Sequence, residues 1–138
     1  MASQVYIIGG GDTGLAVARA LMLRGCAITI GDRDPEQVTR LRSEGLNAME
    51  VDVISEGTLV RSGALTADLV VVATGKSVQA GIYATMLLKH LGAPRVAACA
   101  ENLKCADLLG RIGARVFFPK RESPERLADE LCSELPQR

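Results

Sequence analysis

Tryptophan is missing from these 138 residues, and two tyrosines with two phenylalanines bring the aromatics to only 3%. That scarcity disfavours base-stacking platforms and sugar-binding clefts, which are built from exposed rings. There is one histidine, His90, and the four cysteines, Cys26, Cys99, Cys105 and Cys132, contain no C-x-x-C pair. One imidazole and scattered thiols give no metal-site spacing, so the cysteines read as small apolar residues and no metal is expected. Charge of one sign is also lacking: 16 Lys+Arg balance 16 Asp+Glu. A nucleic-acid binder held by phosphate contacts needs a basic excess, as does a polybasic membrane-surface domain. No apolar run approaches the ~20 residues that span a bilayer. No signal peptide is visible ahead of the first strand-like segment, so the chain is expected in the cytoplasm.

What is present is the composition of an ordinary globular protein, 48% hydrophobic and 23% charged, in a length that suits one domain over 1–138. The pattern alternates. Apolar runs at 5–9, 26–30, 46–51, 67–73, 95–100 and 116–118 predict six strands. Segments with helical spacing follow at 13–24, 34–45, 55–61, 77–91, 102–112 and from 123 onward. In the first helix Leu15, Ala18, Leu21 and Met22 share a face; in the fourth, Val78, Ile82, Met86 and Leu87 are expected inward. The last carries Leu127, Leu131 and Leu135. Asp34-Pro35 and Ser123-Pro124 are helix starts, with a capping side chain before proline at the first helical position. The run ADLVVVA is continuous in β-branched residues rather than alternating, as in a strand buried on both faces. Six strand–helix units predict a Rossmann-type α/β fold, a doubly wound six-stranded parallel sheet in the order 3-2-1-4-5-6.

Gly9-Gly10-Gly11-Asp12-Thr13-Gly14 matches G-x-G-x-x-G, and it lies between a predicted strand and a predicted helix in the first βαβ unit. The first glycine permits the tight turn, the second lets backbone approach a phosphate, and the third allows close helix packing. The helix N-terminus then presents free amides and a positive dipole end to the phosphates. Asp32 ends the second strand 23 residues after Gly9, where an acidic residue accepts from ribose hydroxyls and repels a 2′-phosphate. Arg33 follows it. Asp52 ends the third strand, near where an adenine would lie. Thr74-Gly75-Lys76 follows the fourth strand at the switch point, where open α/β sheets bind ligands. Lys76 suits either a phosphate contact or a solvated helix start. Glu101 reads as an acidic cap of the fifth helix, and His90 as a cation near a helix C-terminus.

The segments YIIGGGDTG, ITIGD, EVDVISEGTLVRSGALTADLVVVATG, QAGIYATMLLKHLGAPRV and LLGRIGARVFFPKRESPERLADEL carry a resemblance across residues 5–131. The chain resembles the N-terminal nucleotide-binding domain of regulators of K⁺ conductance, the TrkA-N domain, and especially the Trk/Ktr potassium-uptake subunits. The resemblance implies a non-enzymatic domain that binds NAD(H) or an adenine nucleotide, pairs into homodimers or larger rings, and gates a membrane transporter or channel. It implies a phosphate loop at Gly9, Gly11 and Gly14, a ribose contact at Asp32, an adenine frame at Asp52 and Val53, and Thr74-Gly75 beneath the nucleotide. Two departures tilt the choice to NAD(H), ADP or AMP over ATP: Asp12 and Cys99 stand where members often carry cations. The family's C-terminal subdomain is expected to be absent. The main alternative is the cofactor domain of an NAD-dependent oxidoreductase. A methyltransferase and an oligomerisation domain with a vestigial site are further readings.

Overall fold

A computed structural model describes residues 2–53, 55–75 and 77–136. Its elements alternate along the chain: β1 (Gln4–Ile8), α1 (Asp12–Met22), β2 (Ala27–Asp32), α2 (Pro35–Ser43), β3 (Ala48–Glu50) and α3 (Glu56–Ser62). After a short 3-10 turn at Ala64–Thr66 come β4 (Leu69–Val72), α4 (Val78–His90), β5 (Val96–Cys99), α5 (Leu103–Ile112), β6 (Arg115–Phe117) and α6 (Pro124–Ser133). The six strands pair in parallel in the order β3-β2-β1-β4-β5-β6. Chain order reverses between β1 and β4, the crevice that such sheets use for ligands.

Both faces of the sheet are covered, so the central strands β4 (LVVV) and β5 (VAAC) are apolar throughout. The two-residue side-chain period still sorts them. Val5, Ile7, Ile30, Val71 and Phe117 pack on one face against Val17 and Leu21 of α1, Leu41 of α2 and Leu131 of α6. Tyr6, Ile8, Val70, Val72 and Ala98 pack on the other against Leu59 of α3, Leu88 of α4 and Leu109 of α5. Asp34, Ser55, Ser77, Asn102 and Ser123 each cap a helix by accepting a first-turn amide. α6 docks on α1 through Arg24, whose Nε meets Asp129 Oδ1 at 2.6 Å, while Nη1 and Nη2 donate to the carbonyls of Ala20 (2.8 Å) and Glu125 (2.9 Å).

Several expectations need correction. In α4 the buried residues are Ala84, Thr85 and Leu88; Ile82 and Leu87 are partly buried against the same core, while Val78 and Met86 are exposed. The apolar residues of this helix spread around most of its circumference, so periodicity does not single out the buried stripe. Met22 is 45% exposed at the end of α1, because the helix stops there and the chain turns through Gly25. β6 begins at Arg115, one residue earlier than expected, and β3 is shorter. Leu135 is buried but lies beyond α6, which ends at Ser133. Asn102, not Glu101, caps α5: its Oδ1 accepts from Cys105 N at 2.8 Å.

Candidate functional site

The C-terminal ends of β1, β2, β3 and β4 converge on one crevice. β1 ends at Ile8, and the backbone turns immediately at Gly9, with φ at +104°. A Cβ on Gly9 would stand 2.2 Å from the Ala73 carbonyl oxygen, so the loop fits only because β4's continuation can lie against a bare backbone. A Cβ on Gly14 would stand 1.8 Å from the Gly9 oxygen, which fixes how closely α1 packs on its own loop. Gly11 is different: nothing lies within 4 Å of where its Cβ would be. Its surface faces an open cleft at the start of α1, with Asp12 and Thr13 beside it. The N-cap is Gly11 itself and no side chain caps this helix, so its first amides are directed at that cleft.

Asp32, the last residue of β2, stands across from this loop. Its Oδ2 accepts from Gly10 N at 2.8 Å and its Oδ1 from Asp34 N at 2.9 Å. A carboxylate has about four acceptor directions, so two remain open to other donors. The loop is held from a second side by Gln37 of α2, whose Nε2 donates to the Gly10 carbonyl. Gly10 is buried between them; a Cβ there would meet Leu41 Cδ1 at 2.6 Å.

The crevice has two compartments. One, about 540 Å³ measured out to open solvent, lies over the ends of β1–β3 and is lined by Ile8, Gly31, Asp32, Arg33, Val51 and Val53, with Asp52 and Thr74 at its edges. Val51 and Val53 are buried and give it an apolar wall suited to a flat ring. The other, about 1210 Å³ on the same measure, runs from Gly9 and Gly11 over Asp12 to Gly75 and Glu101. The structure thus brings together Gly9, Gly10, Gly11, Asp12, Thr13, Gly14, Asp32, Arg33, Asp52, Val53, Thr74 and Gly75 at one edge of the sheet; Lys76 lies outside the described residues. The Thr74 hydroxyl donates to Ser77 O at 3.0 Å. Cys99 lines a separate crevice between α4 and α5 with Gly75 and Glu101, and burial pushes its thiol up from the ordinary range. Glu101 has Lys120 at 4.0 Å.

Two residues of the larger compartment had no signal in the sequence: Gln37 and Arg40, both on α2. The only available hint was their spacing of three, which places them on one side of a helix. Nothing in sequence says that this side turns toward the glycine loop.

The chain matches the TrkA-N domain model over residues 5–119. It is 30% identical over 134 residues to the Ktr system potassium uptake protein C of Bacillus subtilis, covering 96% of this chain and 61% of that protein. It therefore spans about three fifths of that relative's length. Among solved structures it resembles the TrkA-N domain of the inner membrane protein ybaL from Escherichia coli, with a TM-score of 0.74 at 15% identity, covering 99% of this chain and 98% of that one. It also resembles the GsuK channel bound to NAD, with a TM-score of 0.73 at 16% identity, covering 86% of this chain and 22% of that one. At such identities the structural likeness speaks for the fold.

Proposed function

Because the chain belongs to the TrkA-N domain family, we propose that it is a nucleotide-binding regulatory domain of a potassium-transport system and carries out no bond chemistry of its own. It binds NAD(H), ADP or AMP in the crevice over β1–β4, with ATP disfavoured. It works as a homodimer or a larger ring on the cytoplasmic face of a membrane transporter or channel subunit. The similarity to a Ktr potassium uptake protein supports the transport assignment.

The observation that carries the ligand reading is the juxtaposition of Asp32 with the glycine loop. The carboxylate stands at hydrogen-bond distance from Gly10 N, and the neighbouring Gly11 faces open space at an uncapped helix start. An adenosine fits this arrangement with its ring in the β1–β3 compartment, its ribose hydroxyls on Asp32 and its phosphates over Gly11. Arg33 flanks the ring compartment and Asp52 its far edge. In this reading Gly9 and Gly14 shape the loop, Gly10, Asp12, Thr13, Thr74 and Gly75 border the phosphate path, and Val53 backs the adenine. Lys76 is assigned to the same path from its place in the sequence.

Gating requires that the nucleotide bind one arrangement of the paired domains better than another, since a ligand shifts an equilibrium only by its differential affinity. α4 and α5 are the proposed pairing elements. They pack on each other and leave Val78, Tyr83, Met86, Leu103 and Leu108 exposed.

The test is thermal unfolding with NADH, NAD, NADPH, ATP, ADP, AMP and adenosylmethionine. A ligand at 100 times its dissociation constant adds about 2.7 kcal/mol, a readable shift. Stabilisation by NAD(H), ADP or AMP with none by NADPH supports the reading. A melt unmoved by any nucleotide refutes it, and a shift with adenosylmethionine alone points to the methyltransferase reading instead.

A further inference from the structure

Most arginines of this protein are committed to structure. Arg19, Arg24, Arg111, Arg115 and Arg126 form ion pairs, while Arg42 and Arg95 donate to backbone carbonyls. The guanidinium of Arg40 has no hydrogen bond or ion pair among the described residues, yet Arg40 lines the larger compartment of the crevice. It is the single cation among the described residues that do so, against the carboxylates of Asp12, Asp32, Asp34 and Glu101. Three of those four are already engaged. Asp32 accepts two backbone amides, Asp34 accepts Glu36 N at 3.0 Å, and Glu101 faces Lys120.

Arg40 is placed there by construction rather than by chance exposure. Gln37, one turn earlier on α2, donates to the Gly10 carbonyl, so this face of the helix is fastened to the glycine loop. A side chain three residues on projects from the same face. The loop itself offers a carboxylate, Asp12, at the start of α1. Phosphates entering over Gly11 would meet helix amides and an acid, with no cation from the loop.

We propose that Arg40 is a phosphate-binding cation of this site and selects ligands that carry an adenosine diphosphate moiety over adenosine itself. The inference rests on the nucleotide reading above and adds a residue to it. A guanidinium is suited to the task because its fork of donors matches two phosphate oxygens at once. Its place on α2 sets it outside the loop, with freedom to swing onto a bound pyrophosphate.

The test is calorimetric binding of adenosine, AMP, ADP and NAD to the whole chain and to Arg40→Gln and Arg40→Lys, at low and high salt. Arg40→Gln is expected to weaken ADP and NAD roughly 10- to 100-fold, the worth of a charge-assisted hydrogen bond. Adenosine binding and the melting temperature of the free protein should stay unchanged. Arg40→Lys should fall between the two, and added salt should narrow the gap for ADP. Unchanged ADP affinity in Arg40→Gln overturns the proposal while the nucleotide reading stands. Equal weakening of adenosine and ADP, or a lowered melt of the free variant, also overturns it, because a residue that merely supports α2 would behave so. A wild-type chain that binds none of the four removes both readings together.

Discussion

The amide of Gly10 donates to Asp32 Oδ2 at 2.8 Å, so the acid at the end of β2 holds the glycine loop in place whether or not a ribose is bound. Under the proposed function Asp32 would serve structure and ligand at once. Replacing it by alanine strands a buried amide, which costs roughly 1–3 kcal/mol. Asp32→Ala should therefore lose nucleotide binding and also unfold at lower denaturant. Asp32→Asn keeps an acceptor for Gly10 and should recover most of the stability while binding AMP more weakly. Urea unfolding and AMP titration on both variants separate the two roles.

The three glycines of the loop should respond in opposite ways. Gly9→Ala and Gly14→Ala place a Cβ 2.2 Å and 1.8 Å from backbone oxygens, which no rotamer relieves. Both should cost several kcal/mol or prevent folding. Gly11 has φ −77° and open space at its Cβ. Gly11→Ala should fold as well as the parent, gaining about 0.4–1 kcal/mol from a stiffer unfolded chain, while nucleotide affinity falls because the methyl fills the phosphate path. If Gly11→Ala binds ADP normally, the phosphates do not pass there.

Asp12 begins α1 and borders the same path. A unit charge pair ~4 Å apart is worth about 1 kcal/mol in water and about 4 kcal/mol near a protein surface. Asp12→Asn should strengthen ADP at least about fivefold, strengthen AMP less, and leave adenosine unchanged. Calorimetry at constant ionic strength reads this order directly.

Cys26 and Cys132 bring their sulfurs to 3.9 Å, joining the entry of β2 to the last turn of α6. Burial, and next the neighbouring Cys132, pushes the Cys26 thiol up from 9.0 to about 11. The unfolded chain therefore releases this proton first. Stability contributed by the protonated thiol is complete below about pH 9 and is lost as pH rises to about 11. Urea midpoints measured across that window should fall with pH, and Cys26→Ser should flatten this part of the slope.

Tyr83 and Met86 are 48% and 52% exposed on α4, so charging them should not disturb the core. Tyr83→Glu with Met86→Lys should keep the melting temperature of the free domain within a few degrees. Light scattering should show assembly reduced to monomer if α4 is the pairing surface. Retained dimers would move the interface elsewhere.

Much of this was legible in the amino-acid sequence. The parallel sheet was legible in its apolar runs separated by helices, because a sheet covered on both faces leaves its central strands no polar face to show. Its strand order was legible in the glycine motif of the first βαβ unit, which marks a doubly wound fold. The glycine loop was legible because its glycines answer to local geometry at the end of β1, and the place of Asp32 at the end of β2 because its spacing from them reflects one helix and one strand. The buried face of α4 was not. Of Val78, Ile82, Met86 and Leu87, only Ile82 and Leu87 pack against the core, and they do so from its margin, while Ala84, Thr85 and Leu88 are fully buried. Gly81 shows why: a Cβ there would stand 2.8 Å from Thr74 Oγ1, so the helix lies close to the end of β4 on its small-residue side.

The sequence by itself determined the alternation of elements, the caps that start the helices and the place of the glycine loop, because each depends on residues within a turn or two of one another. Only the tertiary structure decided that Asp32 braces Gly10, that Gln37 grips the same loop from α2, and that Arg40 is left uncommitted beside it. Those relationships join segments more than 20 residues apart in the chain. Their geometry is set by how α1 and α2 pack on one face of the sheet, which no local pattern encodes.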